Sequence, residues 1–117
     1  MAKATIDLSE YDRQCAKRSA ILLRTQADYL EQTDSIKTLP EVRRYLATME
    51  KLSSASDTVE ISPADTSALQ QTRVLLEGLR NGFANANFDD RAKKIDDDAT
   101  RLGELVKSAN QRLSESN

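Results

Sequence analysis

The densest set of ionisable side chains in this 117-residue chain is Asp96-Asp97-Asp98, and three consecutive carboxylates invite the question of a bound cation. Their spacing answers against it. The surrounding pattern is helical, and neighbouring side chains on an α-helix point about 100° apart, so the three carboxylates diverge. A calcium loop would also need a turn glycine and a later Glu. The expected arrangement is a solvated face on which Asp97 pairs with Arg101 and Asp90 with Lys94, each at i,i+4. The chain has no His. That removes the usual general base and the commonest metal ligand, and with them the Glu-x-x-His pairs of di-iron bundles. One cysteine cannot build a thiolate zinc site. Cys15 shares a helical stripe with Tyr11 and Leu22, which predicts a buried, inert thiol. Gly-rich phosphate loops and a G-x-S-x-G elbow are missing from the sequence. No catalytic residue, metal or cofactor is predicted, and the chain reads as non-enzymatic.

Arg13, Lys17 and Arg24 fall near one face of the first helix, with Arg18 beside them. Phosphates need only positioned cations, so a nucleic-acid-associated accessory role for these residues is the alternative function. Glu10, Asp12, Asp28 and Glu31 balance them, however, and no aromatic residues interleave as stacking platforms. The whole chain carries 17 basic and 19 acidic residues, a formal charge of −2, so the total charge favours neither nucleic acid nor an anionic membrane.

The elements that must position these residues are helices. Phe88, Ala92, Ile95, Ala99, Leu102, Val106, Ala109 and Leu113 recur at alternating steps of four and three. An α-helix lays all of them along one side, whereas a strand scatters them. Charged residues flank this seam at Arg91, Asp96, Asp98 and Arg112. Both signs are present, as in helices that select a partner by flanking charge. These four, with Leu105, form the predicted partner-binding set.

Three other helices are predicted, over about residues 9–32, 39–52 and 63–86, with the last over 88–115. Ser9 and Asp12 resemble a capping box, and Ser62-Pro63-Ala64-Asp65 opens the third helix in the same way. Thr38 and Glu41, around Pro40, suggest a box for the second. On the first helix, Tyr11, Cys15, Leu22 and Tyr29 lie on one line and Ala16, Ala20, Leu23, Ala27 and Leu30 on the next, together predicting a broad buried face. Thr33, Asp34 and Ser35 compete with the helix at its end. On the third helix, Leu69, Thr72, Leu76, Leu79, Phe83 and Ala86 form the stripe, widened by Val74 and Leu75. Gly78 and Gly82 sit one turn apart and cost about 1 kcal/mol each inside a helix, which predicts close approach of another backbone or a bend near Gly82. Asn87 is expected to cap the last helix; a helix running straight through this joint is the alternative. Val59 and Ile61 are expected to tuck back as a staple on the third helix rather than form a strand. No internal repeat is visible beyond the heptads.

The reading is all-α: a single domain over 1–117 built as an up-down four-helix bundle with a long heptad-patterned C-terminal helix. Its core is rich in Ala and poor in aromatics, with three Tyr, two Phe and no Trp, so each helix contact buries little area. The predicted function is protein–protein interaction, as an adaptor, assembly or regulatory subunit acting through helix packing. The partner is another protein or a second copy of the chain in a homodimer. No stretch approaches the roughly 20 apolar residues of a membrane span. The N-terminus lacks an apolar signal region and the single Cys suits a reducing compartment, so the expected location is cytoplasmic, although leaderless export would leave no readable trace.

Overall fold

Ile6 and Leu8 alternate with Thr5 and Asp7, and Val59 and Ile61 alternate with Thr58 and Glu60. A period of two puts the apolar residues on one face of an extended chain. In the computed structural model, which describes residues 3–33 and 37–115, the two segments are strands β1 (Ala4–Asp7) and β2 (Thr58–Ile61). They pair antiparallel with Ile6 opposite Val59. Val59 and Ile61 are therefore half of a ribbon, not only a staple; the other half lies far away in sequence, where local reading does not look. Ile6, Val59 and Ile61 are buried and belong to the common core, which stabilises a ribbon that would be marginal alone.

The remaining elements are α1 (Glu10–Gln32), α2 (Leu39–Ser54), α3 (Pro63–Asn85) and α4 (Asp89–Glu115), within two residues of the expected bounds. The protein is an all-α helical bundle with a two-stranded ribbon at one end. Both serine caps form as full capping boxes. The Ser9 hydroxyl accepts from the Asp12 N–H at 3.1 Å, and Asp12 accepts from the Ser9 N–H at 2.9 Å. Ser62 and Asp65 repeat the exchange at 3.2 and 3.0 Å, with Pro63 in the first turn. Thr38 does not cap: its backbone is already helical (φ −92°, ψ −9°), and its side chain makes no capping bond. Thr33 closes α1, its amide and hydroxyl both donating to the Tyr29 carbonyl; Asp34 and Ser35 lie outside the described residues.

The joint between α3 and α4 is a turn, and its chemistry differs from the expected cap. Asn87 takes a left-handed conformation (φ 67°) and ends α3 instead of starting α4. The Asn87 N–H donates to Ala84 O and the Phe88 N–H to Phe83 O at 2.8 Å, the paired bonds of a Schellman motif. The Phe83 and Phe88 rings meet edge to face, 6.2 Å between centroids, completing it with the apolar contact such ends favour. Phe88 is thus exposed at the turn and leaves the core seam. The rest of the seam holds: Ala92, Ala99, Leu102, Ala109 and Leu113 are buried, and Ile95 and Val106 partly so.

The order strand–helix–helix occurs twice in the chain. A constant offset carries Thr5 onto Thr58, Ser9 onto Ser62, Asp12 onto Asp65 and Leu22-Leu23 onto Leu75-Leu76. The same offset carries α1 onto α3, each 23 residues long. Ile6 and Val59 are equivalent by this offset, and they face each other in the ribbon. The molecule is therefore two strand–helix–helix units related by a pseudo-two-fold axis through that pair. Some tertiary contacts obey it, although β1 packs on α4 and β2 has no contact of matching extent with α2. Asp12 of α1 is held by Arg101 of α4, and its equivalent Asp65 of α3 is held by Thr48 of α2, the equivalent of Arg101. Within each unit the helices form an antiparallel hairpin, marked by Arg24–Glu50 and Arg43–Glu31 in the first and Arg80–Asp96 in the second.

Candidate binding groove

Each hairpin buries its facing stripes, and the two hairpins meet at the ribbon and along α1/α4 and α2/α3. Between α1 and α3 a groove of about 250 Å³ remains. Its walls follow the pseudo-symmetry: Ser19, Leu22, Leu23 and Gln26 from α1 face their equivalents Thr72, Leu75, Leu76 and Leu79 from α3, with Gly78 beside them. None of these residues is charged, in a chain of which 31% is charged. Leu23 and Leu76 form the floor and are buried, whereas Leu22 and Leu75 stand on the rims, 37% and 41% exposed. Ile21 and Val74, also equivalent, flank the rims at 51% and 49%.

Two further details lie at or near the groove. The Ser19 hydroxyl, on a residue only 1% exposed, is the one buried side-chain polar atom among the described residues without a hydrogen-bond partner. Its equivalent Thr72 instead donates to Ala68 O at 2.8 Å. A buried hydroxyl left unpaired costs about 1–3 kcal/mol. Gly78 and Gly82 have no heavy atom within 4 Å of where a Cβ would stand. Within the chain, then, nothing approaches them closely, and α3 runs on through both to Asn85. Close approach occurs elsewhere: at Gly103 of α4, the Arg73 Cδ lies 3.2 Å from the Cβ position.

The neutrality of this face has a local cause. Beyond its first turn, α3 carries charge only at Arg73, Glu77 and Arg80, and these spacings put all three on the side toward α4. The opposite face is left with Gln71, Val74, Leu75, Gly78, Asn81 and Gly82. That signal was available in the sequence; Leu22, Val74, Leu75 and Leu79 read as core because their helical spacing alone does not reveal which stripe finds a partner. Tyr11 and Tyr29 are exposed for the same reason. Of their line on α1 only Cys15 is buried, and α1 spends its other stripe on the core.

The residues predicted to bind a partner do not gather into one surface. Leu105 is buried in the core, because the wall of α4 is wider than a strict heptad seam. Asp98 is buried too, and accepts a two-pronged bond from Arg18 of α1, with Nε at 2.9 Å and Nη2 at 2.7 Å. Both are turned inward and cannot serve as a partner-facing flank. Asp96 accepts from Arg80 across the α3/α4 hairpin at 2.7 Å. Arg91 is exposed, its guanidinium 5.9 Å from the Phe83 ring centre, and Arg112 is exposed in the last turn of α4. The three carboxylates at 96–98 do diverge, Asp96 toward α3 and Asp98 toward α1, with Asp97 exposed. The expected Asp97–Arg101 pair gives way to Arg101–Asp12, a bidentate contact to a carboxylate whose side chain is 1% exposed.

Burial alone would raise the Asp12 carboxyl, but bonds from Arg101 and from the Ser9 N–H outweigh it and hold it below its usual value. Asp65 follows the same logic with Lys51 and Ser62. The Cys15 thiol, fully buried and 3.5 Å from the Asp98 carbonyl, is pushed up to about 12 by burial and by the Asp98 charge. Three of the basic residues of α1 have partners within the chain. Arg13 donates to the Leu8 and Ser56 carbonyls, Arg18 engages Asp98, and Arg24 lies 4.0 Å from Glu50. No protein-family model matches the chain, and neither does any curated protein or solved structure. Among the described residues, no helix is long and apolar enough to cross a membrane.

Proposed function

We propose that this protein is a non-catalytic interaction module that binds another polypeptide by helix packing in the α1/α3 groove. One observation carries the reading: the groove is lined by uncharged residues and rimmed by exposed Leu22 and Leu75, on a molecule otherwise dense in charge. Depletion of charge at the centre of a patch is the compositional mark of a protein interface. A cluster of exposed large apolar side chains on one face points the same way. The bare Gly78 adds room for an approaching backbone.

A photo-crosslinking side chain placed at Leu75, in cells that make the protein, tests this directly. It should yield an adduct of discrete mass, and the same group at exposed Lys93 on α4 should not. No adduct from Leu75, or equal labelling from both positions, would refute the reading.

A further inference from the structure

We infer that the α1/α2 hairpin swings away from α4 as one body, with two Arg–Asp pairs as its latch. The helices of each hairpin pack along their length, whereas α1 touches α4 over a short stretch only. The bonds across that stretch are polar. Arg101 holds Asp12, Arg18 holds Asp98, and the Cys15 thiol between them donates to the Asp98 carbonyl at 3.5 Å. Both carboxylates are buried, while both guanidiniums keep contact with water. Such a seam resists truncation more than it resists opening. Removing one partner strands the other in the interior, which is costly. Separating the pair returns both to water together, and the hydration lost on folding is regained. The seam therefore fixes position with little net cohesion, and partial opening starts at the least cohesive interface.

The other side of the hairpin is built to stay in place. α2 meets α3 more extensively than α1 meets α4. The chain enters and leaves the hairpin through residues 8–9 and 55–57, and these two segments are fastened side by side. The Leu8 N–H donates to the Asp57 carbonyl at 2.7 Å, and Arg13 donates to the Leu8 and Ser56 carbonyls at 3.3 and 2.7 Å. Paired segments at element ends can absorb changes of backbone angle while keeping the ribbon intact, as hinges do. The swing carries α1 away from α3 as well and so enlarges the groove between them. At about 250 Å³ the closed groove is small for a helix about 10–12 Å across with its side chains, and opening supplies the room. That consequence rests on the binding role proposed above; the opening itself does not.

Cys15 sits inside the seam and reports on it. Slow maleimide labelling of the full chain, followed by mass over hours and across low urea concentrations, tests the inference. Labelling should be nearly independent of urea at first and should merge with global unfolding only at higher urea, the mark of a partial opening. Ala68, buried one turn beyond Asp65 on α3, is the matched position on the side that stays closed. The thiol introduced by Ala68→Cys in a Cys15→Ala background should label at least about 30-fold more slowly than Cys15. Arg18→Leu combined with Asp98→Leu gives the seam an apolar pair, which opening would expose, and should slow Cys15 labelling at least about tenfold. Should that variant lose its helical circular dichroism, Met at both positions is read in its place. Cys15 labelling that carries the full urea dependence of global unfolding overturns the inference, and the native chain alone decides this. Equal rates at the two thiols, or an apolar seam that opens as fast as the native one, overturn it too. The crosslinker at Leu75 separates this from the binding role: a discrete adduct with no partial opening keeps the role and removes the swing, and partial opening with no adduct does the reverse.

Discussion

Asp12 and Asp65 occupy equivalent places in the two units, which makes each the matched control for the other. Both are third residues of capped helices, and both accept from the N–H of their own cap serine. Replacing either by Ala therefore removes the same leg of a capping box, worth about 0.5–1 kcal/mol. What differs is the partner reaching in from the other unit. Asp12, 1% exposed, takes a bidentate bond from Arg101, itself 33% exposed. Removing one partner of a fully buried pair costs about 3–5 kcal/mol. Because Arg101 can turn to Glu104 and to water, about 2–3 kcal/mol is the reasonable share, for a total near 3 kcal/mol. Asp65 accepts from Lys51, 43% exposed, and from the Thr48 hydroxyl at 3.1 Å. A surface pair of that kind contributes about 0.5 kcal/mol and the hydroxyl about 1 kcal/mol, for a total near 2 kcal/mol. Urea unfolding followed by circular dichroism measures both, with the slope checked for constancy. Equal losses, or a larger loss at Asp65, would refute the argument that burial of the Arg101 pair sets the difference.

The same two carboxylates govern the acid limb. Their folded values lie below the unfolded ones, so their contribution is complete above the unfolded value of about 3.9 and is lost as pH falls through the lowered folded values. The melting temperature should therefore drop below about pH 4, and Asp12→Asn should flatten that drop; an unchanged slope would contradict it. Cys15 should resist an aromatic disulfide reagent at neutral pH in the folded protein and react at once in denaturant, because its thiol is buried and its ionisation pushed up to about 12. Leu102→Ala should cost about 2–5 kcal/mol by lost burial and cavity formation, since Leu102 is completely buried at the centre of α4; a melting temperature within error of native would show that the site does not bear on the core.

How much of this was legible in the sequence depended on the range of the interaction. The helix ends were local, and Ser9-x-x-Asp12 and Ser62-Pro63-x-Asp65 marked them accurately. The seam of α4 was regular enough to place Leu102 and Ala109 in the core. Asn87 misled because Asn suits both a helix start and a left-handed helix stop, and here it takes the left-handed conformation with Phe88 packed back on Phe83. Arg101 and Asp98 misled more seriously. Each had a satisfactory partner or solvent nearby, yet each bonds a residue on α1 instead. Charge pairing by i,i+4 spacing is worth only a few tenths of a kcal/mol, so a buried tertiary partner overrides it. The groove was illegible because apolar spacing identifies stripes and does not say which of them the chain itself will cover.

The repeat explains why such a stripe is left over. Neither strand–helix–helix unit is complete alone: its strand has no partner, and the aspartate of its capped helix lacks the side chains that hold it from the other unit. Joining the units by their ribbon satisfies both deficits at one end of the molecule. The pseudo-two-fold axis then sets like against like, Leu22 against Leu75 and Leu23 against Leu76, across the line between α1 and α3. A trough remains where these two helices face each other, and Ser19 is among the residues that line it. Some of the differences between the halves fall at or beside that trough. Gln26 answers to Leu79, Thr25 to Gly78 and Tyr29 to Gly82, and each change makes the α3 wall smoother or less polar than the α1 wall. The α1 side keeps the hydrogen-bonding groups while the α3 side keeps the space, and an incoming helix would meet both requirements in one groove.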